Sequence, residues 1–193
     1  MKLLFENWRG FLTESKLRVF DFDDTLAITD ANVKLTLADG SEVEQSPAEF
    51  AVYELGPGES YGPNAFVQFE DVSDPREIKQ VTNILRNVVA AGNEDREVAI
   101  LTARPHEAGT GIAKFLEDIG IPADAVEIVT LASSLPEDKR RWIQDRIDRG
   151  ATDVEFFDDS PKNIKAVESL KDQYPGIRVR TRLIKYGEGR GGN

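Results

Sequence analysis

From residue 75 onward the chain alternates amphipathic stretches with short apolar runs, and this alternation constrains the fold more than any other feature. Ile78, Val81, Ile84, Leu85, Val88 and Val89 share one helical face, so a helix is predicted over 75–91 with Gly92 as its stop. A strand is predicted at 97–101, followed by a helix at 107–119, a strand at 126–131, a helix at 136–149, a strand at 153–157, a helix at 161–173 and a strand at 177–184. An earlier strand, Leu17-Arg18-Val19-Phe20-Asp21-Phe22, precedes the series. Strands separated by helices cannot pair as hairpins. They form a mainly parallel sheet, covered on both faces and joined by right-handed crossovers, which is a doubly wound α/β fold.

At 193 residues the chain has room for one sizeable core. A single domain over 1–193 is therefore expected, with three attachments. Leu3, Leu4, Phe5, Trp8, Phe11 and Leu12 have helical spacing, so residues 1–14 are expected to form an amphipathic helix that docks on the core or on a partner. Residues 27–73 read as an insertion. In it Val33, Leu35 and Leu37 alternate with polar neighbours, Asp39-Gly40 supplies a turn, and Glu42-Val43-Glu44 returns as a hairpin. Ser46-Pro47-Ala48-Glu49 then has the capping hydroxyl, proline and glutamate of a helix start. The glycine-rich tail at 187–193 is expected to fray.

Composition removes several chemistries. With no cysteine there is no disulfide, thiolate metal site or thiol nucleophile, and a lone histidine, His106, rules out a multi-histidine zinc centre. No apolar run is long enough to span a bilayer, and Glu6 and Arg9 interrupt the apolar start that a secretion signal needs. The expectation is a cytoplasmic protein without membrane association. A net charge of -11 opposes non-specific binding to nucleic acid. Basic residues do gather at Lys139, Arg140, Arg141, Arg146 and Arg149, and at Arg178, Arg180, Arg182, Lys185 and Arg190. A solvated charged face is the favoured reading of both clusters.

In an open α/β sheet the binding crevice lies beyond the carboxyl ends of the strands. Three of those ends carry reactive residues: Asp21-Phe22-Asp23-Asp24-Thr25, Thr102-Ala103-Arg104 and Asp158-Asp159-Ser160. Acids converging on one sheet edge would raise one another's pKa unless a cation relieved them. Oxygen donors without nitrogen or sulfur suit Mg2+.

These motifs resemble those of the haloacid dehalogenase superfamily of phosphatase-like hydrolases. The first motif, Asp-x-Asp-x-Thr, reads Asp21-Phe22-Asp23-Asp24-Thr25. The second is Thr102, the third Lys139 and the fourth Asp158-Asp159, and the resemblance covers roughly 17–26 and 95–184. It implies a Mg2+-dependent phosphomonoesterase. Asp21 would be the nucleophile that forms an aspartyl-phosphate, and Asp23 the general acid and base. Thr102 would donate to the phosphoryl group, and Lys139 would face its oxygens. The ion would be held by Asp21, the main-chain carbonyl of Asp23, Asp158 and Asp159. The small spacing between motifs predicts a flap rather than a full cap domain, with Tyr53, Tyr61 or Phe66 touching substrate.

Bland readings stand beside these. Asp23, Asp24, Thr25, Thr102, Asp159 and Ser160 are all plausible helix caps. Lys162 competes with Lys139 as the third-motif lysine. Arg104 could form a structural ion pair or bind a substrate anion. A small phosphorylated molecule is the expected substrate. The alternatives are a 3′ or 5′ nucleic-acid end phosphatase that uses the arginines near 140 or 180, and a non-catalytic docking protein that keeps the fold. Nothing in the sequence bears on oligomeric state.

Overall fold

The computed structural model describes residues 15–46, 49–50, 53–62, 64–70, 72–92 and 95–185; the expected helix at 1–14 and the tail at 187–193 lie outside them. In chain order the described elements are β1 (Ser15–Phe20), β2 (Ala27–Ile28), β3 (Val33–Thr36), β4 (Glu42–Gln45) and β5 (Arg76–Glu77), then α1 (Lys79–Ala90), β6 (Arg96–Thr102), α2 (Ala108–Asp118), β7 (Glu127–Thr130) and α3 (Pro136–Asp148). β8 (Ala151–Asp158), α4 (Pro161–Glu168), α5 (Leu170–Gln173) and β9 (Arg178–Leu183) complete the series.

The main sheet has the order β7-β6-β1-β8-β9, and all four pairings are parallel. Side-chain alternation along the strands explains the two layers. Phe20 and Ile100 face one way, onto Val81 and Leu85 of α1 and Ile112 and Phe115 of α2. Val19, Leu101, Val154 and Phe156 face the other way, onto Ile143 and Ile147 of α3 and Val167 of α4. The strand order reverses between β1 and β8, so their carboxyl ends flank the crevice that this topology opens. No helix among the described residues is long and apolar enough to cross a membrane.

Several boundaries differ from the expectation, and the reasons are tertiary. β1 stops at Phe20 because the chain turns back at once: the Leu26 and Ala27 amides both donate to Phe22 O, and Asp24 takes φ of 51°. The helix predicted from 75 begins at Lys79. Arg76 and Glu77 pair antiparallel with Ile28 and Ala27 instead, which closes the insertion at its base. The helix predicted over 161–173 is divided at Ser169 into α4 and α5.

The hairpin forms as expected, with Val33 opposite Gln45, Thr36 opposite Glu42 and Gly40 at φ of 83°. Ser46 and Glu49 make the reciprocal capping contacts, Ser46 N to Glu49 Oε2 at 2.8 Å and Glu49 N to Ser46 Oγ at 3.3 Å. Ala31, Val33 and Ala65 form a small separate core with Phe50, Tyr61 and Phe66 packed on it. The insertion therefore has apolar packing of its own.

The end of the insertion presses on α2 at one glycine. A β-carbon at Gly111 would stand 2.8 Å from Val72 Cβ and 2.9 Å from its Cγ2, whereas one at Gly109 meets nothing within 4 Å. Helix propensity alone favours alanine at both sites by up to about 1 kcal/mol. Gly109→Ala is expected to stabilise the protein, and Gly111→Ala to destabilise it by about 1–3 kcal/mol through overpacking. Urea unfolding of both variants checks this, and equal shifts would contradict the Val72 contact.

The basic segments find partners. Arg178 and Arg180 pair with Asp153, Arg180 and Arg182 with Glu155, and Arg18 with both acids. On α3, Arg140 pairs with Glu137, Arg141 with Asp138 and Arg146 with Glu127.

Candidate functional site

Proline placement aims two helices at the crevice. Pro136 opens α3 and Pro161 opens α4, each in the first turn, where a missing N–H costs nothing. Lys139 shares a helical face with Ile143 and Ile147, four and eight residues on, and all three are buried. That periodicity draws Lys139 inward, while Arg140 and Arg141 turn out to their acids.

Lys139 Nζ donates to Asp21 Oδ1 at 2.6 Å and to Asp158 Oδ2 at 2.8 Å, joining the ends of β1 and β8. Lys162, its rival, donates instead to the Tyr53 carbonyl at 2.9 Å and so ties the insertion to the core. Asp158 is fully buried and well supplied with donors: Ser160 N reaches its Oδ1 at 2.8 Å, and Asn163 Nδ2 reaches both oxygens at 3.0 and 3.1 Å. Asn163 is absent from the sequence reading. Its only signal was its place in the first turn after Pro161, which directs it back at the preceding strand end.

Asp21, Asp158 and Asp159 each offer a carboxylate oxygen, and these oxygens lie within 4.8 Å of one another. Three negative charges so close are unfavourable in the absence of a cation. Burial pushes the Asp21 carboxyl up to about 7, with Asp158 and Asp23 adding repulsion and the Lys139 charge opposing it. Burial, then the charges of Asp21, Asp158 and Asp24, raise Asp159 to about 9. Asp24 rises to about 6 through burial and the charge of Asp23. Lys139 responds in the opposite sense: burial would lower it, but Asp158 and Asp21 outweigh that and hold it above the usual lysine range. An all-oxygen set in which two acids are held above their ordinary range fits a hard divalent ion.

Asp23 occupies a different position. Arg104, fully buried, grips its carboxylate as a fork, Nε to Oδ2 at 2.9 Å and Nη2 to Oδ1 at 2.8 Å. Thr29 Oγ1 adds a third donor at 2.8 Å and itself accepts from Arg104 Nη2 at 2.9 Å. The Asp23 side chain is thus outside the three-acid group. Arg104 makes an ion pair with the motif, and Thr29, from the start of the insertion, is a partner that sequence reasoning missed.

A cleft of about 380 Å3 opens over these groups, with Asp21, Asp23, Lys139, Asp159 and Asn163 in its wall. Tyr53 and Tyr61 of the insertion line it, and Phe66 lines an adjoining cleft. Thr102 is not a wall residue: it is fully buried, and its Oγ1 accepts from Arg104 N at 3.2 Å. His106 is exposed and lines neither cleft.

No protein-family model matches the sequence, and no curated protein does. Among solved structures the chain is similar to the Legionella pneumophila effector Ceg4 carrying an N-terminal TEV protease cleavage sequence. That match has 14% identity and a TM-score of 0.52, over 92% of this chain and 90% of the other. A second structure of the same effector, with an N-terminal yeast Hog1p sequence, gives 16% identity and a TM-score of 0.49 over 91% and 90%. At such identity the first likeness speaks for the fold alone, and with the sheet order it makes the chain an α/β protein built on a parallel five-stranded sheet with helices on both faces.

Proposed function

We propose that the chain is a Mg2+-dependent phosphomonoesterase of the haloacid dehalogenase type, with Asp21 as its nucleophile. One observation carries the reading. Carboxylates from the ends of two strands more than 130 residues apart in sequence meet within 4.8 Å, Asp21 and Asp159 on the wall of a cleft, and a buried lysine bridges Asp21 and Asp158.

Asp21 and Lys139 divide the chemistry between them. Lys139 occupies Asp21 Oδ1, and no hydrogen bond reaches Oδ2 among the described residues; Oδ2 is the oxygen assigned to attack on phosphorus. As it attacks, the bond from phosphorus to the leaving oxygen breaks, and Asp23 gives that oxygen a proton. Water then gives a proton to Asp23 and attacks the same phosphorus, breaking the bond to Asp21 and freeing inorganic phosphate. The ammonium of Lys139 stabilises charge on the transferring group at both stages. Asp21, Asp158 and Asp159 would hold the divalent ion, which supplies positive charge to the phosphoryl oxygens. Arg104 and Thr29 fix the carboxylate of Asp23 at the cleft wall. The fork must loosen when Asp23 takes up its proton.

The test is turnover of a panel of phosphate monoesters with Mg2+ and with excess chelator. Phosphate release is expected in the first condition and its loss in the second, restored by added Mg2+. Release unaffected by chelator would sink the reading.

A further inference from the structure

Resting on the phosphomonoesterase reading, we infer that the substrate carries its phosphate on an apolar aliphatic or aromatic alcohol rather than on a sugar or nucleotide. The cleft is far larger than a phosphate group needs and falls in the range of pockets that enclose a whole small molecule. A second cleft of about 390 Å3 adjoins it and shares Phe50, Ala103, Ser134 and Leu135. The leaving group must occupy this space, so its walls describe the leaving group.

Away from the acids, aromatic and aliphatic side chains supply much of those walls. Phe50, Tyr61 and Phe66 pack as an aromatic cluster with ring centroids 5.2–5.8 Å apart. Leu55, from the insertion, and Leu135, just before α3, line the first cleft and stay 49% and 63% exposed, which is unusual for leucines beside a concave surface.

Three hydroxyls of the walls are committed elsewhere. Tyr53 Oη donates to Glu59 at 2.8 Å, Tyr61 Oη to Gln45 at 3.1 Å and Ser133 Oγ to Asp138 at 2.5 Å. A polyol placed against these three would lose water without gaining their hydrogen bonds, which costs free energy for each unpaired hydroxyl.

Charge points the same way. Among the described residues no arginine lines either cleft, and Lys162 is the one lysine there besides Lys139, already donating to Tyr53 O. Glu54 and Glu70 stand on the walls instead. Among the described residues these walls present no cluster of cations of the kind that recognition of a second phosphate or a nucleic-acid backbone needs.

The experiment compares 2-phenylethyl phosphate with glycerol 3-phosphate, two esters of alcohols of similar acidity, at saturating Mg2+. The aralkyl ester is expected to show at least about ten-fold higher kcat/KM, the scale of burying a few apolar groups. In the double variant Leu55→Ser, Leu135→Ser, whose side chains are exposed and contribute little to folding, the ratio is expected to shrink several-fold. Turnover of both esters without preference, preference for glycerol 3-phosphate, or an unchanged ratio in the double variant would overturn the inference and leave the phosphatase reading standing. Turnover of neither would bring down both.

Discussion

Asp21→Asn is expected to lower phosphate release by at least about 10⁴-fold with every ester, because a neutral carboxamide cannot form the acyl phosphate. The fold should survive. Asparagine has the shape of aspartate, and its Oδ1 can still accept from Lys139, which meets that position at 2.6 Å. Asp23→Asn separates the two aspartates by role. Loss of a general acid costs about 10²–10⁴-fold where the leaving group must be protonated, as for an alkyl ester. It costs much less with p-nitrophenyl phosphate, whose leaving group departs as a stable anion. Equal losses on both esters for Asp23→Asn would deny it the acid role, and substantial turnover by Asp21→Asn would deny Asp21 the attack. Circular dichroism and urea unfolding of both variants separate chemistry from misfolding.

The layers of this fold were legible because local signals agreed with each other. Pro136 and Pro161 open helices where proline is tolerated, and apolar runs end at the acids of β1 and β8. The choice between Lys139 and Lys162 was also open to sequence, since residues 139, 143 and 147 share one face and Ile143 and Ile147 are apolar. What sequence withheld were contacts made by distant or mixed-role residues. Arg76 and Glu77 look like the start of a helix until Ile28 and Ala27 offer them backbone partners from 48 and 50 residues away. Thr29 is an ordinary residue of the insertion, and only the fold brings its hydroxyl to Asp23. Arg104 stood equally well for an anion site or an ion pair, and only its complete burial against Asp23 separates them. Thr102 lay at the expected strand end, yet strand position alone does not say whether a hydroxyl reaches the cleft or serves the backbone amide two residues on.

Lys139→Met should be the most destabilising single change at the site, and its cost should depend on pH. Its ammonium touches Asp21 and Asp158 with almost no solvent access, and removing one partner of a buried ionic cluster costs about 3–5 kcal/mol. The pH dependence follows from Asp21. Its carboxyl titrates near 7 in the fold against an ordinary 3.8, so between those values the native state keeps a proton that the unfolded chain has released, and stability falls as pH rises. Asp159, near 9, extends that fall to higher pH. Methionine removes the charge and hydrogen bond that hold Asp21 down, which moves its titration further up and lengthens the decline. In chelator, urea unfolding at pH 8 should therefore show close to the full loss relative to the native sequence, and at pH 5, where Asp21 is protonated in both, a smaller one. Arg141→Met, two residues beyond Lys139 on α3 but paired with Asp138 at the surface, should cost under about 1 kcal/mol at either pH. A loss for Lys139→Met no greater than for Arg141→Met, or one independent of pH, would mean that the lysine does not balance the acids at the ends of β1 and β8. The electrostatic case for a cation site would then lose its basis.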